Sequence, residues 1–263
     1  MFITVLSSLL LGMIAGFFAG LFGIGGGLIM VPILVWLFSY LMIAKELIML
    51  MAIATSLATI SLTALAASYG HYRQARLLWD YIARLTPGII IGSISGAFIA
   101  QQMSADQLKL IFASFLIVIG IQLWRSAPLS SPIYLISKNW DYLIGLMIGS
   151  ISAILGIGGG TLTVPYLIKR GVTIHQSVAI SSACGFPIAI AGSLSFIQLG
   201  WHHPQLPIYS FGYIYLPAFI AMAIGSLFTA ALGAKCAHYL PAAQLKRYFS
   251  IVIFIMAIKL FHF

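Results

Sequence analysis

The stretch that decides the fold is GLFGIGGGLIMVP, residues 20–32, a run of glycines between two strongly apolar segments. It occurs twice, because residues 156–165 read GIGGGTLTVP and repeat residues 23–32 at the same spacing, 133 positions later. A glycine in a helix interior costs about 1 kcal/mol relative to alanine, so a glycine triplet is predicted to interrupt a helix. The chain is therefore predicted to hold two copies of one unit, with its function where the copies meet.

The composition indicates a polytopic membrane protein. Of 263 residues, 62% are hydrophobic and only 6% are charged, whereas about a quarter are charged in a typical soluble domain. Long apolar runs meet the roughly 20 residues that a helix needs to cross a bilayer, and helices pair their own backbone groups in lipid. The net charge of +9 falls in the connections rather than on one basic face. We therefore expect contact with the lipid bilayer and no nucleic-acid partner.

Ten apolar segments are predicted, five in each half. A stretch with Pro128, Pro132 and several serines separates the halves, as is typical of a linker. Residues 1–124 are thus the predicted first membrane repeat, residues 125–141 the linker and residues 142–263 the second membrane repeat. The segments run approximately over residues 3–22, 28–42, 47–68, 81–101, 108–124, 142–155, 162–168, 177–199, 208–232 and 245–261.

The basic residues predict the orientation of the chain. Three of them, Lys45, Lys109 and Lys259, lie on one side of the predicted topology, and the other ten lie on the opposite side. Cytoplasmic loops are enriched in Lys and Arg, so both termini are predicted to lie outside the cytoplasm. Five segments per copy, an odd number, turn the second copy upside down, which is the inverted-repeat plan of many secondary transporters. The predicted fold is all-α, with two inverted repeats and about 8–10 hydrophobic helices.

Segments two and seven are too short to cross a hydrocarbon core roughly 30 Å thick. We predict that both are half-helices or re-entrant pieces that begin at the glycines. The number of full crossings stays open at this point, and four crossings per copy would remove the inversion.

The glycine breaks are the predicted substrate site. A half-helix that begins inside the protein offers unpaired amides and the positive end of its dipole to an anion. The alternative is that the glycines only allow close packing of helices, as small residues do in membranes. The second triplet is followed by hydroxyls at Thr161 and Thr163 that add donors. The glycines assigned to the predicted site are Gly25, Gly26, Gly27, Gly158, Gly159 and Gly160.

Hydroxyl residues occupy similar places in the third segment of each copy. Thr55 and Ser56 follow Ile53-Ala54, and Ser181 and Ser182 follow Val178-Ala179-Ile180. Each hydroxyl could bond back to its own helix or line a polar path. Because the placement is parallel in the two copies, we predict that Thr55, Ser56, Thr161, Ser181 and Ser182 join the glycines in the substrate site. The histidines have no spacing that is typical of metal ligands, and they are interpreted as loop or interfacial residues.

All four acidic residues, Glu46, Asp80, Asp106 and Asp141, flank apolar segments. A proton- or sodium-coupled carrier usually has a carboxylate at membrane depth, so this pattern argues against such coupling. The export of an anion needs no coupling ion, because an inside-negative potential drives each negative charge outward by about 2.3 kcal/mol per 100 mV. The two cysteines are far apart in sequence and indicate neither a disulfide framework nor a metal site. We expect no cofactor, no metal and no enzymatic activity, and a small anion is the expected partner.

The doubled glycine motif with its following Val-Pro, the Ala54-Thr55-Ser56 stretch and Leu78-Trp79-Asp80 together resemble the TauE/SafE family of bacterial sulfite exporters. The resemblance covers nearly the whole chain. It implies a permease of the bacterial inner membrane for sulfite, sulfate, thiosulfate or organosulfonates. Whether the chain forms a homo-oligomer stays open at the level of sequence. Family members differ in substrate and direction. The second copy has Ile180-Ser181-Ser182 where the first has Thr55-Ser56-Leu57, so equal contributions from the two copies are not implied.

Two other functional classes remain open at the level of sequence. Ser93-Ile94-Ser95-Gly96 is one residue short of a Gly-x-Ser-Gly pattern, which would belong to an intramembrane serine hydrolase, but no histidine has the spacing of a base. A membrane assembly subunit without transport activity is the third hypothesis.

Overall fold

The computed structural model describes residues 2–22, 26–72, 78–125, 140–237 and 242–262, and these form ten helices and one small hairpin. The predicted all-α fold of a polytopic membrane protein is confirmed. The helices of the first half are α1 (Phe2–Phe22), α2 (Gly27–Tyr40), α3 (Lys45–Tyr72), α4 (Trp79–Gln102) and α5 (Ala105–Arg125). Those of the second half are α6 (Trp140–Leu155), α7 (Gly160–Lys169), α8 (Ile174–Gly200), α9 (Leu216–Ala237) and α10 (Ala242–His262).

The two helices that follow the glycine breaks are short. α2 has 14 residues and α7 has 10, which at 1.5 Å per residue give lengths of about 21 Å and 15 Å. Neither spans a core of roughly 30 Å, as predicted from the sequence. Within the described residues, four stretches are both long and apolar enough to cross a membrane: Lys45–Leu65, Trp79–Gln102, Ala105–Arg125 and Gln176–Gly200.

The predicted segment over residues 208–232 begins well before the helix that it predicts, because α9 starts only at Leu216. Strands β1 (Ser210–Phe211) and β2 (Ile214–Tyr215) pair antiparallel before α9 begins at Leu216. Tyr209 and Gly212 have φ angles of 71° and 57°, and this left-handed backbone is incompatible with a helix. Hydropathy alone could not reveal this turn, because the hairpin is itself rich in aromatic and aliphatic side chains.

Glycine ladders bring helices of the two halves into backbone contact. Gly12, Gly16 and Gly20 of α1 face Met222, Ser226 and Ala230 of α9, and an added Cβ at any of the three would overlap the α9 backbone.

The second ladder lies on α4. Gly88, Gly92 and Gly96 face Tyr142, Leu146 and Ser150 of α6 in the same way. Small residues at four-residue spacing allow such close approach in membranes, where packing replaces the hydrophobic effect as the driving force.

The order of these contacts gives the relative directions of the helices. Contacts ascend in number together along α1 and α9, and along α4 and α6, so each of these pairs is parallel. The central pair behaves differently, because Gly185 and Gly192 of α8 face Ala64 and Leu57 of α3, respectively. α3 and α8 are therefore antiparallel, and the third helix of each half runs opposite to its counterpart.

The tryptophans mark the ends of helices. All five are 45–61% exposed, and four lie at or near a helix end: Trp79, Trp124, Trp140 and Trp201. Tryptophan is enriched where the apolar core of a bilayer meets the headgroups. The buried core, in contrast, is built around α3 and α2, where Met51, Ile53, Leu34 and Phe38 are inaccessible to solvent.

Gly92→Val is expected to destabilise the protein by about 1–3 kcal/mol or to prevent its assembly, because the new side chain must separate α4 from α6. Ala83→Val, on the exposed face of the same helix, is the matched control and should change little. The measurement is the temperature at which purified protein in detergent ceases to be monodisperse. Equal midpoints for the two variants would contradict the packing role of the glycine ladder.

Candidate functional site

Both short helices begin at the glycine breaks. The N-cap of α2 is Gly26, in the left-handed region at φ 67°, and the N-cap of α7 is Gly159, in the right-handed region at φ −59°. Neither N-cap residue forms a side-chain cap hydrogen bond, and the first amides of a helix have no acceptor within it. Pro32 and Pro165 occupy the same position, the sixth, of α2 and α7. Both half-helices are therefore short and begin at a glycine break, but the backbone conformations of their N-cap residues differ.

The two breaks touch each other in the interior. A Cβ built on Gly27 would lie 2.7 Å from the Cα of Ile157 and 2.8 Å from the carbonyl oxygen of Gly156. Gly156 has a φ of 65°, and its Cβ would lie 2.8 Å from the Cα of Ile53 in α3. This close approach requires glycine at both positions. The structure thus brings the first break, the second break and the middle of α3 together.

The predicted hydroxyls of α3 both contact this region, through different partners. Ser56 Oγ donates to the carbonyl oxygen of Gly156 at 2.8 Å. Thr55 Oγ1 accepts from the backbone N–H of Tyr215, at the end of β2, at 3.1 Å. Both residues are fully buried. Ser56 therefore fixes the second break, while Thr55 attaches the hairpin to α3.

The second break also packs against α8. A Cβ on Gly159 would lie 3.2 Å from Thr163 Oγ1 and 3.6 Å from the carbonyl oxygen of Ser181. The hydroxyls of Ser181 and Ser182 both donate to the carbonyl oxygen of Val178, at 3.2 and 3.0 Å. The backbone of Ser181 lies near the break. Its side chain bonds back to its own helix, which is the alternative to lining a polar path.

Two hydroxyls in the first turn of α7 are buried without a hydrogen-bond partner among the described residues. They are Thr161 Oγ1 and Thr163 Oγ1, on residues 8% and 0% exposed. A buried hydroxyl without a partner costs free energy. Such groups, next to a helix N-terminus, are suited to a polar ligand that would satisfy them.

The remaining predicted residues are less informative. Gly25 lies outside the described residues, Gly158 is buried in the second break, and Gly160 is the first residue of α7. Ser95, considered for a hydrolase, donates to the Gly92 carbonyl oxygen at 2.9 Å and lies 3.3 Å from Ser150 Oγ. Neither partner is a base. In the described part of the chain, no group of His, Cys, Asp and Glu side chains is placed to hold a metal ion.

A buried ionic cluster was not predicted from the sequence. Asp141, at the start of α6, is fully buried and accepts a hydrogen bond from the Tyr166 hydroxyl of α7. Arg170, the C-cap of α7, donates to both carboxylate oxygens of Asp141 at 3.2 and 3.4 Å. Arg84 of α4 lies 3.9 Å from Asp141 Oδ2. Sequence counting treated Asp141 as a flanking residue and Arg170 as a topology signal, because neither the burial nor the pairing is visible in the pattern.

The hairpin is the second unpredicted feature near the site. Tyr213 is almost fully buried, and its amide donates to the Phe196 carbonyl oxygen at 3.3 Å. The Tyr215 ring meets Phe38 of α2 edge to face at a centroid distance of 5.7 Å. Burial, and secondarily Tyr209, raises the pKa of the Tyr215 phenol, so this side chain stays neutral. The hairpin covers α3 with aromatic groups on the side of Thr55.

Comparison with known proteins shows which sequences this chain resembles. A sequence profile described as "Sulfite exporter TauE/SafE" matches residues 8–260. A "Probable membrane transporter protein" of Haemophilus influenzae is 38% identical, with 99% of each chain covered. Similarly named proteins of Methanocaldococcus jannaschii and Bacillus subtilis are 28% and 25% identical. The match with the M. jannaschii protein covers 95% of this chain and 92% of that protein, and the match with the B. subtilis protein covers 92% of each chain.

Gly156→Ala is expected to destabilise the protein by about 1–2 kcal/mol or more, because it forces a side chain into a left-handed backbone that is packed against Ile53. Gly185→Ala is the matched control in the neighbouring helix α8. Its Cβ would meet Ala64 at an ordinary 3.7 Å, and alanine favours the helix by about 1 kcal/mol. Thermal unfolding in detergent should therefore separate the two variants in opposite directions. A Gly156→Ala protein as stable as wild type would contradict the described geometry of the break.

Proposed function

The chain belongs to the sulfite exporter TauE/SafE family of membrane proteins, and on this premise we propose that it is a permease for a small sulfur-containing oxyanion. Sulfite, sulfate, thiosulfate and organosulfonates share a compact group of anionic oxygens. The proposed site lies where the two glycine breaks meet, at the N-termini of α2 and α7. Export across the bacterial inner membrane, driven by the membrane potential, is the proposed direction.

The observation that carries this proposal is the contact between the breaks, with Gly27 packed against Gly156 and Ile157. Two helix N-termini converge on one buried region, and each has first-turn amides without an acceptor in its own helix. The positive ends of two helix dipoles favour an anion there. The hydroxyls of Thr161 and Thr163, which have no partner among the described residues, supply further donors. An oxyanion accepts hydrogen bonds on every face, so it suits a site made of donors.

The charges support a potential-driven mechanism. Asp80 and Asp106 have side chains 85% and 95% exposed, and Glu46 is exposed as well. The fourth acidic residue, Asp141, is buried but paired with Arg170 at 3.2 Å. None of the four acidic side chains is therefore both buried and unpaired. Outward movement of a dianion would gain about twice 2.3 kcal/mol per 100 mV from the membrane potential.

The proposed architecture is two inverted repeats, residues 1–124 and 142–263, joined by residues 125–141. Three observations support it. α3 and α8 are antiparallel, α1 packs on α9 as α6 packs on α4, and both half-helices follow matching glycine runs. If each of the helix pairs α1–α2 and α6–α7 begins and ends on the same side of the membrane, three full membrane crossings per copy remain. Three is odd, so the inversion and the placement of both termini outside the cytoplasm are retained.

Flux into proteoliposomes tests the proposal. Purified protein should move sulfite, thiosulfate or an organosulfonate faster than empty vesicles do, and the rate should follow a potential set by potassium and valinomycin. Absence of flux for all of these anions, sulfate included, at every potential would overturn it.

Thr163→Val is expected to raise the KM for the transported anion about tenfold, since it removes one hydrogen bond to a charged ligand. The protein should fold normally, because valine has the same shape and the hydroxyl has no protein partner in the described residues. Thr86→Val is the matched control, since this hydroxyl donates to the Ile82 carbonyl oxygen within α4. Equal KM values for the two variants would remove Thr163 from the proposed site.

A further inference from the structure

The ionic cluster is attached to the far end of the half-helix that begins at the proposed site. Asp141 is 0% exposed and the Arg170 side chain only 7%. The two Arg170–Asp141 hydrogen bonds are 3.2 and 3.4 Å long, and the Tyr166 hydroxyl donates to the same carboxylate. The cluster therefore joins the end of α7 to the start of α6 through the nearly inaccessible Asp141 and Arg170 side chains and the partly buried Tyr166.

α7 itself is a short helix between two glycines with left-handed backbone. Gly156, before the helix, and Gly171, after it, have φ angles of 65° and 80°. The helix is about 15 Å long, with Thr161 and Thr163 at one end and Arg170 at the other. A movement of the Arg170 end is therefore transmitted to the end that faces the second break. Ser56 fixes Gly156 before the helix, so the contacts at the Arg170 end determine the remaining orientation of α7.

The physics of buried charge supplies the constraint at that end. Separating a buried carboxylate from its arginine leaves an uncompensated charge, which typically costs several kcal/mol. One Arg170 guanidinium nitrogen donates to both carboxylate oxygens, and the tyrosine hydrogen bond adds a third contact that restricts the orientation of the end of α7. The cluster thus opposes displacement of α7, in addition to the apolar packing of its buried Leu167.

We propose that Asp141, Tyr166 and Arg170 are positioning residues for transport. They act through α7 and hold its first-turn amides and the hydroxyls of Thr161 and Thr163 in the geometry that binds the anion. This inference rests on the proposed function, and it assigns a role to charges that do not themselves touch the substrate.

The groups around the cluster are consistent with a positioning role. Arg84 lies 3.9 Å from Asp141 and 3.4 Å from Asp80. The guanidinium carbon of Arg170 is 6.0 Å from the Tyr81 ring centroid, a distance at which the cation is attracted to the ring. Arg84 and Tyr81 belong to α4, so the end of α7 contacts two helices, α4 and α6. Asp80 is 85% exposed and marks the solvent edge of the cluster.

Transport kinetics of two variants that keep the fold provide the first test. Asp141→Asn combined with Arg170→Gln removes both charges, so no uncompensated charge is left buried. Tyr166→Phe removes one hydrogen bond. The double variant should raise the KM for the transported anion about tenfold and Tyr166→Phe about threefold, with maximal rates changed less. Asp106→Asn, at an exposed ion pair of α5, and Tyr142→Phe, an exposed tyrosine of α6, are the matched controls and should keep the KM of wild type.

A labelling experiment tests the same inference without transport. Thr163→Cys is introduced in a chain carrying Cys184→Ala and Cys236→Ala, and the rate of reaction with N-ethylmaleimide is measured in detergent. Adding the Asp141→Asn and Arg170→Gln changes should raise this rate severalfold, because α7 is no longer held. Monodisperse double-variant protein with unchanged KM and unchanged labelling would overturn the positioning role. If wild type moves none of the anions, the proposed function fails, while the labelling rate still decides whether the cluster positions α7.

Discussion

Close backbone contact between helices is the constraint on which this structure depends. A broken helix exposes amides and carbonyls that cannot face lipid, so a break inside a membrane must be enclosed by protein. The glycine ladders of α1 and α4 make that enclosure possible, because they let α9 and α6 approach to backbone distance. Each ladder joins one half of the chain to the other. The two halves therefore depend on each other to cover their breaks, and neither repeat is a self-sufficient unit.

The two breaks are related in sequence but unequal in chemistry. At matching positions of the half-helices the first copy has Leu28 and Met30, and the second has Thr161 and Thr163. Gly26 and Gly159 also match, yet one has a left-handed and the other a right-handed backbone. At the half-helices, hydroxyl side chains thus follow the second break alone, while the ionic cluster joins α7 to Asp141 and to Arg84 of α4. A duplicated unit supplies the symmetric frame, and divergence of one copy is sufficient to make the interior polar on one side.

Much of the fold could be predicted from the sequence, because the signals for it are local. Apolar runs located all the described helices except α9 to within a few residues, and the glycine runs located both breaks. The functional site could be predicted only in part from such local signals. Ser56 could be chosen from its parallel placement, but its acceptor, Gly156, is 100 residues away. The pairing of Asp141 with Arg170 depends on how α7 folds back against α6, and the hairpin depends on left-handed angles at Tyr209 and Gly212. Such features arise from tertiary contacts, about which the hydrophobic periodicity of the sequence contains no information.

The break region is held at two ends by contacts of different kinds. Towards the C-terminal end of α8, the hairpin is attached by two neutral hydrogen bonds, one to Thr55 of α3 and one to the Phe196 carbonyl oxygen of α8. Its aromatic rings also meet Phe38 of α2 and Phe196 edge to face. Towards the N-terminal end of α8, α7 is anchored by a buried ion pair. A neutral bond contributes about 1 kcal/mol, whereas separating a buried ion pair costs several. The contacts on the two sides therefore differ in kind, with neutral hydrogen bonds and aromatic packing at the hairpin and buried charge at the end of α7.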